Sequence, residues 1–224
     1  MRTVIAFLLL LVLPASFAHA GKRVALVIGN SAYQYTPKLD NPKNDASDIA
    51  AALKRYSFEV IEGFDLDKRA SIAEVLDFAA ALKGSDAGVF FYAGHGMQVA
   101  GQNYLIPTDA KAEAAETLDF EMVRVDVVQR IMERLTETNI LFLDACRDNP
   151  LARNLARSMG TRSLEVGRGL AQVEAGIGTL ISFSTQPGNV ALDGAGRNSP
   201  FAGALVKHMG SSNDDLRRHP HFRT

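Results

Sequence analysis

An α/β fold, built on a mostly parallel sheet with helices on both faces, follows from two features of the 224-residue sequence. Strand-like and helix-like segments alternate along the chain, which argues for parallel strands joined by crossover helices. The strand segments Arg23–Ile28, Asp86–Ala93 and Asn139–Ala145 are close to continuous apolar runs, as strands covered on both faces must be.

Each element has its own signal. Arg23–Ile28 is the first strand, and a loop from Gly29 runs to Pro42. The stretch Asn44-Asp45-Ala46-Ser47-Asp48 then starts a helix, with Ile49, Ala52, Leu53 and Tyr56 at helical spacing. Phe58–Phe64 is the second strand. Lys68–Leu82 is the second helix, with Ile72, Val75, Leu76 and Ala79 on one face. Asp86–Ala93 is the third strand. The segment Gly96–Pro107, centred on Gly101-Gln102, reads as a hairpin. Val125–Leu135 is the third helix and Asn139–Ala145 the fourth strand. A long polar stretch leads to Gly178. Thr179–Ser184 is the fifth strand, and Asn198-Ser199-Pro200 starts a last helix, Phe201–Met209. There is no internal repeat and no low-complexity linker.

The first 20 residues read as an export signal. Arg2 supplies the charge, Val4–Leu13 the apolar stretch, and Ala18-His19-Ala20 a cleavage pattern before Gly21. The apolar stretch is short for a membrane span, so an uncleaved anchor is the lesser alternative. The expected organisation is a signal peptide at 1–20, one domain at 21–210 and a polar tail at 211–224. The expected location is periplasmic or secreted, with no stable membrane association after cleavage. Lys and Arg total 24 against 25 Asp and Glu, a balance that does not suggest a nucleic-acid partner. Cys146 is the only cysteine. It can make no internal disulfide, so it is either a reactive thiol or a small core residue.

In sheets of this kind, functional groups gather beyond the carboxyl ends of the strands, where strand order reverses. Three loops qualify: Asp40 to Asp45, the loop at His95 and the loop at Cys146. Cys146 ends the run Ile140–Ala145, and His95 stands between Gly94 and Gly96 after Gly88–Ala93. A thiol attacks a carbonyl only when a neighbour lowers its pKa or takes its proton. His219 and His221 lie in the basic tail, and His208 suits the end of the last helix, so His95 is the candidate base. The amides of Gly96 and Cys146 are candidate oxyanion donors. A nucleotide or flavin site is disfavoured, because Gly94-His95-Gly96 lacks the third glycine of G-x-G-x-x-G and no P-loop follows the first strand. No G-x-S-x-G elbow is present either.

The chain resembles the caspase-like peptidases, especially the bacterial relatives of metacaspases. The resemblance rests on Val24–Asn30, Asn44-Asp45-Ala46, Phe91-Tyr92-Ala93-Gly94-His95-Gly96 and Leu143-Asp144-Ala145-Cys146-Arg147. Asp144-Ala145-Cys146-Arg147-Asp148 shares its central three positions with the caspase signature Q-A-C-[RQG]-G but not its flanks, and His95 lies about 50 residues upstream. The likeness spans roughly residues 22–209.

It implies a three-layer caspase-like fold and a cysteine endopeptidase acting on a protein or peptide. Cys146 would be the nucleophile, His95 the general base and acid, and an acyl-enzyme the intermediate. No resident cofactor is expected, with calcium activation left open. Metacaspases hold arginine or lysine with acidic side chains, which assigns Asp45 and Asp144 to substrate binding and cleavage after a basic residue. Asp144 stands two positions before Cys146, so on a strand both face one side. Asp45 also fits a helix N-cap, and Asp144 also fits a strand-end acid bonded to backbone amides. The alternative function is a non-catalytic caspase-like domain kept for protein binding.

The sequence departs from the family at Ala93, where metacaspases carry serine, and in the short polar tail, which reads as a truncation that would leave the fifth strand an edge. Metacaspases often need calcium, yet no calcium-loop motif is present, and no metal site is expected. Arg147, Arg153, Arg157, Arg162 and Arg168 mark the loop after Cys146 as a site of self-cleavage or inhibition, or simply a solvated loop. Gly188–Ser199 is the matching loop after the fifth strand, positioned to wall the groove. Oligomeric state is not legible.

Overall fold

The computed structural model describes residues 21–145, 151, 155, 166–167, 169–186, 189 and 194–209. The segments 1–20 and 210–224, Cys146, and the five arginines of the following loop lie outside the described residues.

Five parallel strands form the central sheet. They are β1 (Arg23–Gly29), β2 (Glu59–Phe64), β3 (Ala87–Gly94), β7 (Thr138–Ala145) and β9 (Thr179–Phe183), in the order β2-β1-β3-β7-β9. Strand order therefore reverses between β1 and β3, the position where open α/β sheets place their sites. β1, β3 and β7 are interior and almost wholly buried, which explains their unbroken apolar sequences. Among the described residues β9 is an edge, and all five of its residues are half-buried.

The pleat sends alternate residues to opposite faces. Val24, Leu26, Ile28, Phe90 and Leu141 pack against α2 (Lys68–Leu82) and α4 (Val125–Leu135), which contribute Val75, Phe78, Leu82, Val128 and Met132. Ala25, Val27, Val89, Phe91 and Phe142 face α1 (Pro42–Arg55) and α5 (Pro200–His208). α2 meets α4 on one side and α1 meets α5 on the other, giving three layers. Local signals fix the helix starts. Asp67 accepts from the Ala70 amide at 2.7 Å to cap α2, and Ser199 accepts from the Ala202 amide at 3.0 Å to cap α5.

A second, antiparallel sheet stands over the carboxyl edge. Its order is β6 (Val123–Arg124), β5 (Gln102–Leu105), β4 (Gly96–Val99) and β8 (Val166–Gly167). Ala100 and Gly101 both have positive φ, the turn that matches the twist of a two-residue hairpin. The sequence reading anticipated the hairpin but not β6 and β8, nor the short turns Ala115–Thr117 and α3 (Leu118–Glu121).

One boundary needs correction. α1 begins at Pro42 after Asn41, so Asp45 sits one turn inside the helix and is not its N-cap. Proline at the first helical position explains the earlier start, because its fixed φ and missing N–H both suit that place.

Candidate active site

His95 follows directly on β3, and the register pairs Gly94 with Ala145 of β7. The next residue along each of these two chains is His95 and Cys146. His95 is 1% exposed. Its Nε2 lies 3.0 Å from the Pro37 carbonyl oxygen. A carbonyl only accepts, so Nε2 carries the hydrogen, and in the neutral ring the lone pair falls on Nδ1. The tautomer is thus set by the β1–α1 loop.

That loop is itself fastened. The Ser31 and Ala32 amides both donate to Asp65 Oδ1 at 2.8 Å, and Lys43 pairs with Asp65 Oδ2 at 2.9 Å. Burial pushes the Asp65 carboxyl up, but the bonds from Lys43, Ser31 and Ala32 outweigh it and hold the group below its ordinary value. Asp65 therefore favours the folded state at neutral pH. That contribution is complete above the ordinary carboxylate pKa and is lost as pH falls through the lower folded value. Further along, Gln34 donates to the Thr108 carbonyl at 2.9 Å and Leu39 to the Ser31 carbonyl at 3.1 Å.

Two tyrosines meet the His95 backbone. Tyr33 Oη accepts from the His95 amide at 2.7 Å, and Tyr92 Oη donates to the His95 carbonyl at 2.8 Å. The Tyr33 ring also lies against the imidazole, with centroids 4.5 Å apart. Gly94 has φ +157°, and a Cβ there would stand 2.5 Å from Tyr33 Oη and 2.7 Å from Tyr92 Oη. Gly94→Ala is expected to destabilise the protein by about 3 kcal/mol, from crowding plus a backbone conformation suited to glycine. Chemical denaturation checks this; a loss under ~0.5 kcal/mol would contradict it.

The His95 carbonyl also accepts from the Ile106 amide at 3.1 Å. Gly96 and Leu105 are consequently a non-hydrogen-bonded pair of the hairpin, and the Gly96 amide points away from β5. Gly96 packs against Ala145, whose Cβ is 3.0 Å from where a Gly96 Cβ would be.

The two predicted acids come together through a third residue. Ile140 and Phe142 face α1 and α5, and the pleat turns Asp144 the same way. On that side α1 presents Asp45, and Ser199 caps the start of α5. The Ser199 amide donates to Asp45 Oδ1 at 2.9 Å, and the Ser199 hydroxyl donates to Asp144 Oδ2. Both carboxylates are 0% exposed. Just before Ser199, Arg197 makes two 3.0 Å bonds to the Asp48 carboxylate, Asn198 adds a third, and Asn44 donates to the Arg197 carbonyl. The bond from Arg197 is the main cause holding Asp48 below its ordinary pKa. Residues 197–199 are thereby tied down over α1.

Sequence reasoning thus placed His95, Gly96, Asp45 and Asp144 on one edge, but missed Pro37, Tyr33, Tyr92 and Ser199. A tyrosine inside an apolar strand signals a buried hydroxyl that needs a partner, and Asn-Ser-Pro signals a capping serine. A backbone carbonyl such as that of Pro37 leaves no mark in sequence. Among the described residues, no three His, Cys, Asp or Glu side chains gather as a metal site.

The family model of the peptidase C14 caspase domain matches residues 22–221. Two curated relatives are 30% identical over 132 residues: mucosa-associated lymphoid tissue lymphoma translocation protein 1 of Homo sapiens and its homolog in Mus musculus. The match covers 57% of this chain and 15% of each relative, so the chain corresponds to a small part of those proteins. A crystal structure of a Geobacter sulfurreducens protein shares the fold with a TM-score of 0.56 at 19% identity, over 83% of this chain and 81% of that one.

Proposed function

Because the chain belongs to the peptidase C14 family of caspase domains, a family of cysteine peptidases, we propose that it is an endopeptidase that cuts after arginine or lysine. His95 Nδ1 takes the proton of the Cys146 thiol. The thiolate adds to the peptide carbonyl, and the amides of Gly96 and Cys146 hold the developing oxyanion. The imidazolium returns its proton to the leaving amine, and water then hydrolyses the thioester. Pro37 keeps the imidazole in the required tautomer throughout, a task that falls to a carboxylate in the serine triad.

The observation that carries this reading is His95 itself. It is buried, its tautomer is fixed through Nε2, and it stands one residue beyond the Gly94–Ala145 pair that precedes Cys146. Selectivity rests on Asp45 and Asp144, whose convergence on Ser199 makes a concentrated negative site. A guanidinium entering it replaces the donors that Ser199 now provides, so residues 197–199 move to admit it. The full burial of both acids favours a second reading, in which they only lock α5 to the sheet and the domain is a non-catalytic binding module.

Labelling with a peptidyl electrophile that carries arginine separates the two. The peptidase reading predicts one adduct, mapped to Cys146 and lost in His95→Ala. A folded sample that takes no adduct, or takes it equally well without His95, supports the binding module. Export and release from the membrane belong to the same proposal, and N-terminal sequencing of the secreted chain tests them.

A further inference from the structure

We propose that Tyr33 and Tyr92 are positioning residues that clamp the catalytic histidine through its own backbone; the proposal rests on the peptidase reading of His95. Four groups form a closed hydrogen-bonded circuit. The His95 amide donates to Tyr33 Oη at 2.7 Å, Tyr33 Oη lies 3.3 Å from Tyr92 Oη, and Tyr92 Oη donates to the His95 carbonyl at 2.8 Å. Tyr92 gives its proton to carbonyls, since the Ile106 carbonyl also lies 3.1 Å away. Tyr33 is therefore the donor between the two hydroxyls. The circuit begins and ends on His95 and fixes both peptide planes beside it.

The geometry explains why this backbone needs holding. His95 lies between two glycines, and Gly94 adopts a φ that other residues avoid. A Gly-His-Gly segment is soft, and its stiffness must come from outside. The two tyrosines come from different places. Tyr92 projects from β3 into the core shared with α2, whereas Tyr33 rides on the loop that also presents Pro37. The clamp thus couples the imidazole, held at Nε2 by Pro37, to the backbone that carries it. It also orients the plane between His95 and Gly96, and with it the Gly96 amide.

The test uses Tyr33→Phe in the full chain, which keeps the ring and removes the hydroxyl. Two readings are taken: kcat and KM on an arginyl fluorogenic peptide, and the His95 imidazole resonances in carbon-13-histidine-labelled protein, assigned with His95→Ala. The variant is expected to fold with its Tm lowered by several degrees, because the buried His95 amide loses its acceptor, to lose kcat about tenfold to a hundredfold with KM within about twofold, and to show a shifted, broadened His95 signal. A folded variant whose His95 resonances match wild type overturns the clamp, as does an unchanged kcat. If the wild-type protein cleaves nothing, the peptidase reading fails by itself and the resonances alone decide the clamp. Tyr92→Phe, which leaves the Tyr33 bond to the His95 amide in place, gives the same two readings if Tyr33→Phe does not fold.

Discussion

Cys146→Ala is expected to lower kcat/KM on arginyl peptides by more than about 10⁴-fold while leaving the fold unchanged. Alanine removes the only thiol in the chain, so no acyl-enzyme can form. The amide groups and binding contacts that remain accelerate direct attack by water only modestly. The rest of the edge should survive, because the pairing of β7 with β3 and β9 runs through backbone groups that the substitution does not touch. Steady-state hydrolysis beside circular dichroism checks the result. A folded Cys146→Ala protein retaining a tenth of the activity would mean that another group attacks the peptide.

Asp45→Asn and Asp144→Asn are expected to cost arginyl substrates about 10²–10³-fold in kcat/KM, the loss that follows removal of one partner from a buried charge pair. Asparagine is chosen because its Oδ1 still accepts from Ser199, so the capped start of α5 persists. The charge is lost, and one acceptor oxygen becomes an NH2 donor. The sharpest comparison is between an arginyl peptide and its citrulline counterpart, equal in shape and neutral. Wild type should prefer arginine strongly, and each variant should lose most of that preference. A preference kept in full by both variants would reduce the two acids to a structural lock on α5.

How far the sequence could lead depended on the kind of signal. The interior strands were legible because burial on both faces demands apolar runs such as Val24–Ile28 and Ile140–Leu143. His95 and Cys146 stand out in the sequence because each is a chemically distinct residue directly after such a run, and the structure places His95 at the carboxyl edge of the sheet. β6 and β8, at two residues each, are too short to carry any periodicity. The meeting of Asp45, Asp144 and Ser199 was hidden for another reason. Asp45 and Ser199 are 154 positions apart, and only the return of α5 beside α1 brings them together. Pro37 acts through its carbonyl, which every residue possesses, so only the folded loop could reveal it. The start of α1 differs from the sequence expectation because Asn44-Asp45 resembles a cap, while Pro42, the stronger signal, also fits the end of a loop.

The central claim, a cysteine peptidase with an acidic pocket for basic side chains, is tested most directly with matched fluorogenic peptides ending in arginine, lysine or aspartate, with and without calcium. The account predicts cleavage after arginine or lysine, none after aspartate, and complete loss in Cys146→Ala. Cleavage after aspartate, or no cleavage by a well-folded sample under either condition, would contradict it.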